Sequence, residues 1–208
     1  VSVDAGSLDT RVNVDRARVL GLEADAQLRL GRAWIGSANV SLANGRDADD
    51  VYLRRMPPLM AGLRLKWEPS THPFWAEAVV TAAATQDRLS PGDLSDARIG
   101  GRRRRADIAT FFTGTATDLG LVRDGRLVAT GETLAQVQAR LLGSASETFL
   151  FTETPGFVVF GLRGGWRFSA RLDATVILDN LTDRNYRWHG SGVDAPGFSL
   201  ATKIRIRL

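Results

Sequence analysis

From Gly197 to Leu208 the chain alternates apolar and polar side chains up to its last residue. Successive side chains of a strand point to opposite faces, so Phe198, Leu200, Ile204, Ile206 and Leu208 form one wall and Ser199, Lys203, Arg205 and Arg207 the other. A soluble sandwich would bury that wall. An outer-membrane barrel would turn it to lipid and aim the cations into a wet lumen. Length favours the membrane: a tilted strand of about 9–11 residues crosses a bilayer, whereas soluble strands usually run to about 5–6.

Six more segments alternate in the same way, at about 13–30, 33–43, 58–68, 74–86, 157–168 and 171–181. The connections between them fall into two classes, short at 31–32, 69–73 and 169–170 and long at 44–55, 87–156 and 182–196. Tight turns at one end and long loops at the other are the mark of a bacterial barrel with periplasmic turns and extracellular loops. The expectation is therefore an all-β, antiparallel transmembrane barrel. Leu59, Leu63, Leu65, Leu172, Val176, Leu178, Leu200 and Ile204 would meet lipid, and Arg64, Lys66, Arg171, Asp173, Lys203 and Arg205 would line the lumen. Trp34, Trp67, Trp75 and Trp166 fall near the short-turn ends, where an interfacial aromatic girdle belongs.

Residues 87–156 form a connection long enough to imply function or disorder, and they read as a mobile, ligand-facing extracellular loop. Within it, residues 119–128 suggest a small hairpin around Asp124-Gly125. Thr133 and Gln136 stand at capping-box spacing ahead of Leu134, Val137 and Leu141, which predicts a helix over 133–142 packed on its own loop, with Gly143 as the stop.

Composition excludes several classes. No apolar run approaches the roughly 18 residues of a spanning helix. Cysteine is absent, which removes disulfides and thiolate metal sites. The net charge of +4 rests on arginines scattered among acids, a poor field for tracking phosphates, so no nucleic-acid partner is expected. There is no nucleophile elbow, zinc-protease motif or phosphate-binding loop, and the two histidines, His72 and His189, lie in connections at opposite ends. Neither an enzyme nor a cofactor or metal site is expected. The acids Asp47, Asp49 and Asp50, and Asp93 and Asp96, lack EF-hand spacing and read as solvated loop residues. Arg102, Arg103, Arg104 and Arg105 make the sharpest charge feature. They would draw in an anionic metal chelate or touch lipopolysaccharide phosphates. Trp188 and His189 are candidates for ligand contact, with a loop-ordering hydrogen bond as the other reading of the histidine.

The run Asn180-Leu181-Thr182-Asp183, then Tyr186, then Pro196-Gly197 and the final strand, resembles the C-terminal end of TonB-dependent outer-membrane receptors. Val19 to Glu23, Phe74 to Glu77 and Asp93 to Ile99 resemble the same family in the same order, so the likeness spans nearly the whole chain. The family's barrels have about 22 strands around a plug. The resemblance thus implies that residues 1–208 supply about the last seven strands, with the plug, the TonB-contacting box and the earlier strands lying elsewhere. Family barrels usually finish on an aromatic residue, and this chain has Leu208. The implied function is TonB-energised uptake of a nutrient, with a ferric siderophore as the leading substrate. The implied partners are outer-membrane lipid and lipopolysaccharide, and TonB acting through the plug. A passive porin-like or structural barrel, and more remotely a barrel enzyme, are the other readings.

Overall fold

The computed structural model describes residues 16–207; the expected strand start near residue 13 and Leu208 lie outside the described residues. Seven long strands form one antiparallel sheet: β1 (Ala17–Leu30), β2 (Trp34–Asp47), β3 (Met60–Trp67), β4 (Phe74–Ala83), β9 (Phe157–Arg167), β10 (Leu172–Asp179) and β11 (Ser199–Ile206). Between β4 and β9 the chain forms α1 (Pro91–Ser95), β5 (Arg102–Arg104), α2 (Arg105–Thr113), α3 (Thr115–Asp118), β6 (Val122–Arg123), β7 (Arg126–Leu127), α4 (Leu134–Leu142) and β8 (Glu147–Phe149). The sheet order is β1-β2-β3-β4-β9-β10-β11, so β1 and β11 are open edges and the barrel is not closed.

Register fixes the two faces. Across β2, β3, β4 and β9, Gly36 pairs with Leu65, Leu65 with Ala78 and Ala78 with Leu162, while Ile35 pairs with Lys66, Lys66 with Glu77 and Glu77 with Arg163. One face is therefore aliphatic. The other carries ion pairs, with Lys66 2.6 Å from Glu68 and Arg163 3.5 Å from Glu77, and Arg167 also reaching Glu68. The same phase continues to the edge, where Val176 faces Thr202 and Thr175 faces Lys203. Leu63, Leu200 and Ile204 are 55%, 62% and 70% exposed, a wall that water would penalise and hydrocarbon accepts. The sheet has almost no core of its own. Of the buried apolar residues, six cluster in the segment between β4 and β9, while only Ala83, Phe157 and Val159 form a cluster on the sheet.

An aromatic belt runs along the apolar face at the short-turn end. Ring centroids of Trp67 and Phe74 are 6.0 Å apart, those of Phe74 and Trp166 6.3 Å, and those of Trp166 and Phe168 6.5 Å. Trp34 joins it as the register partner of Trp67. Trp75 does not. Strand alternation turns it to the polar face, where Lys66 Nζ lies 5.1 Å from the ring centroid and the indole covers Gly165 so closely that a Cβ there would collide with it. Phe74 takes the expected place of Trp75.

The connection 87–156 is folded. Because β4 pairs directly with β9, it leaves and re-enters the sheet at one point, closed by reciprocal Gln86 and Thr154 backbone hydrogen bonds of 2.9 Å. β5 and β8 then form a neck (Arg102 opposite Phe149), and above it Ile108, Phe112, Ala116, Val122, Val137 and Leu142 make a small core. The expected hairpin is present as β6 and β7, with φ of 50° at Asp124 and 69° at Gly125, the left-handed pair that a tight two-residue turn requires. The expected helix is α4, and its capping box is made: Gln136 N donates to Thr133 Oγ1 at 3.4 Å and Thr133 N to Gln136 Oε1 at 2.9 Å.

Candidate functional site at the long-loop end

Two long connections lock together at this end through buried carboxylates. Asp93 is fully buried, caps α1 by accepting from the Ser90 backbone and hydroxyl, and also accepts from Arg55 N at 3.1 Å. Asp96 Oδ2 is shared by Arg98, Arg54 and Arg55 at 2.9, 3.0 and 3.2 Å. These acids are not solvated. The turn Ser90-Pro91 places Asp93 at the third helical position, and the loop before β3 supplies cations and an N–H to carboxylates that burial would otherwise penalise. Asp50 does behave as expected, exposed and paired with Arg46 at 2.6 Å. Fully buried Gln86 donates to the Met56 carbonyl, and Arg88 donates to the Ala43 and Pro57 carbonyls at 3.1 and 3.3 Å, completing the clamp.

The segment from Asn180 to Gly197 is a knot that turns β10 back into β11. Asn180 Nδ2 donates to the carbonyls of Arg184 and Pro196 at 2.8 and 3.1 Å while its Oδ1 accepts from Arg184 N at 2.9 Å. Asp183 Oδ1 accepts from Phe198 N at 2.8 Å and leaves no room for a Cβ at Gly197. Asn180 and Asp183 have φ of 51° and 49°, a conformation these two residue types tolerate best after glycine. Leu181 N donates to the Phe160 carbonyl at 2.9 Å, tying the knot to β9, and Thr182 continues the turn. The loop folds over the polar face. Tyr186 packs against Phe157 with centroids 4.4 Å apart and planes tilted by 43°, and Trp188 meets Phe157 edge-on at 4.9 Å. That cover explains why Phe157, Val159 and Gly161 are buried while Val158, Phe160 and Leu162 are exposed.

His189 Nδ1 lies 2.9 Å from Thr154 Oγ1, a loop-ordering contact, and its Nε2 is buried with no partner among the described residues. Burial holds its pKa below the ordinary 6.5, opposed by the nearby Asp93 carboxylate, so the ring is neutral at pH 7. Beside it a cleft of about 350 Å³ is lined by Arg98, Glu153, Thr154, Arg184, Tyr186 and Arg187, with Asp194 at the side. Arg187 is held by Asp194 at 2.8 Å, and Arg184 reaches the Gly156 carbonyl at 3.4 Å. The cleft thus presents three positioned guanidinium groups against two carboxylates.

The arginine run is divided by its strand. Arg102 and Arg104 both reach Glu147, at 2.5 and 3.4 Å. Arg105 donates to the Gly143 and Ala145 carbonyls at 3.0 and 3.2 Å, satisfying the chain just beyond α4. Arg103 points the other way.

A family model described as TonB dependent receptor-like, beta-barrel matches residues 1–181. The chain belongs to that family. It is a family of outer-membrane transport receptors, and the bacterial outer membrane is where the exposed wall of this receptor barrel resides. Among solved structures, the chain is similar to the copper transporter OprC (21% identity, TM-score 0.58, covering 91% of this chain and 23% of that one). It is also similar to the ferripyoverdine receptor of Pseudomonas aeruginosa (11%, 0.52, covering 91% and 19%). A third is the G324V mutant of the ferric enterobactin receptor PfeA from the same organism (17%, 0.51, covering 93% and 23%). At these identities the likeness is one of fold, and the chain spans about a fifth to a quarter of the length of those receptors. No relative was found among curated proteins.

In the receptor barrel, Trp188 lies with Tyr186 at a second hollow on the polar face, His189 is tied to Thr154 behind the arginine cleft, and Arg102 to Arg105 stand apart at the neck of the insert. Asn180, Asp183, Pro196 and Gly197 serve loop geometry. Sequence reasoning did not single out Arg98, Arg184, Arg187 or the Asp96 clamp, because each is assembled from connections distant in the chain. For Asp93 alone a local signal exists, its capping-box spacing from Ser90 around Pro91.

Proposed function

We propose that this chain is the nutrient-facing part of a receptor that imports a ferric siderophore across the outer membrane, with TonB acting through a plug supplied by the rest of the protein. The long-loop end faces the cell exterior, and residues 87–156 and 182–196 form its binding surface. The observation that carries this reading is the cleft of about 350 Å³ with Arg98, Arg184 and Arg187 held at its wall. Guanidinium groups already oriented by Asp96, the Gly156 carbonyl and Asp194 meet an anionic chelate without further ordering cost. Tyr186 in the cleft wall offers an aromatic face, and Trp188, 38% exposed, another in the adjoining hollow. The test is iron-limited growth of a receptor-deficient strain expressing the full-length protein with a panel of ferric siderophores. Rescue that disappears in a TonB-deficient background supports the proposal, and rescue that persists there indicates a passive pore.

A further inference from the structure

The helical insert between β5 and β8 carries a partly open cavity of about 410 Å³, separate from the cleft described above. Its walls are Phe111, Phe112, Leu127, Val137 and Leu141, and Arg103 stands at its rim. Small-molecule pockets of this kind occupy about 300–1,000 Å³ and pair apolar walls with a few placed polar groups. Four arginines in a row would ordinarily be a diffuse charge. Here strand alternation separates them: Arg102 and Arg104 turn to Glu147, Arg105 binds the chain beyond α4, and Arg103 turns to the opposite face and lines the cavity. Arg103 is half-buried, and its guanidinium has no hydrogen bond or ion pair among the described residues. That guanidinium is open to water at the rim of an apolar hollow, and an anionic amphiphile would give it a charge-assisted partner while its alkyl chain covers the apolar walls. Asp107, at the same rim, accepts from Arg104 N at 3.0 Å. One cation beside one anion accommodates a single negative charge and disfavours a polyanion.

We propose that this cavity binds a medium-chain monocarboxylate, its alkyl chain among Phe112, Val137 and Leu141 and its carboxylate on Arg103. The site is independent of the siderophore reading, because it shares no lining residue with the arginine cleft and binding there needs no transport. The test uses the full-length receptor in lipid nanodiscs, with carboxyl-labelled decanoate followed by NMR and empty nanodiscs as the partitioning reference. Wild type is expected to show one saturable site above the reference. Arg103→Gln should weaken decanoate about tenfold while leaving decanol, the uncharged analogue, unchanged. Leu127→Trp, which fills the void, should remove both. The proposal is overturned if wild type shows no saturable site, if Arg103→Gln binds decanoate like wild type, or if lipid A displaces decanoate at lower concentration than decanoate itself.

Discussion

At Asp96 one carboxylate, 7% exposed, accepts from three guanidinium groups that are themselves about half exposed. Screening at the exposed ends keeps each pair modest, so Asp96→Asn should cost about 1–2 kcal/mol of local stability rather than the larger penalty of a sealed ion pair. Its visible effect is kinetic access: trypsin should cut the variant at Arg54, Arg55 or Arg98 several-fold faster than wild type, with the strands intact. Unchanged cleavage would mean that Arg88 and Gln86 hold the clamp alone. At His189 the sign follows from burial. Its folded pKa is depressed, so the opened loop binds the proton more readily. The contribution is complete above the ordinary value of 6.5 and is lost as pH falls from there through the folded pKa. Hydrogen-exchange protection of residues 150–156 and 184–190, taken relative to the intrinsic rate at each pH, should therefore fall between pH 7.5 and pH 5, and His189→Asn should flatten that dependence. Little of this was legible in sequence. Asp93 and Asp96 look like solvated acids until Arg54 and Arg55, about forty positions earlier, are folded against them.

Among the elements, the strands were legible because a period of two survives any tertiary arrangement, and the observed bounds differ from the expected ones by a few residues at the ends. β2 runs on to Asp47, past the expected end at 43, because Gly45 and Arg46 continue to pair with β1. The helix α4 and the hairpin of β6 and β7 were legible from local chemistry, a capping box and an Asp-Gly turn. α2 was not, since its adjacent Phe111 and Phe112 split between surface and core and present no clean stripe. The facing of β10 makes an element-scale prediction. Val176→Lys places a charge in the hydrocarbon and should cost about 2–4 kcal/mol of refolding stability near midplane. Thr175→Lys, one residue away, faces Lys203 in the lumen and should cost under about 1 kcal/mol, the size of a like-charge cross-strand pair. Urea refolding of the full-length receptor into vesicles measures both. Equal losses would contradict the assigned faces.

As a whole molecule, the chain is a wall rather than a closed body. β1 and β11 carry unpaired backbone groups along their outer edges, which hydrocarbon does not tolerate, and the small cluster of Ala83, Phe157 and Val159 is too little core to replace the missing strands. Expressed alone, the 208-residue chain should aggregate or stay protease-sensitive, whereas a monomeric, heat-modifiable band in detergent would indicate a small barrel that closes on itself. The account rests above all on which face of the sheet meets lipid. Because the chain has no cysteine, single cysteines can be placed and spin-labelled through 172–178 and 200–206 of an otherwise cysteine-free full-length receptor in bilayers. Collision with oxygen and with a water-soluble nickel chelate then reports each site. Positions 172, 174, 176, 178, 200, 202, 204 and 206 should favour oxygen and the intervening positions the chelate, alternating through both strands. Uniform accessibility, or alternation in the opposite phase, would contradict it.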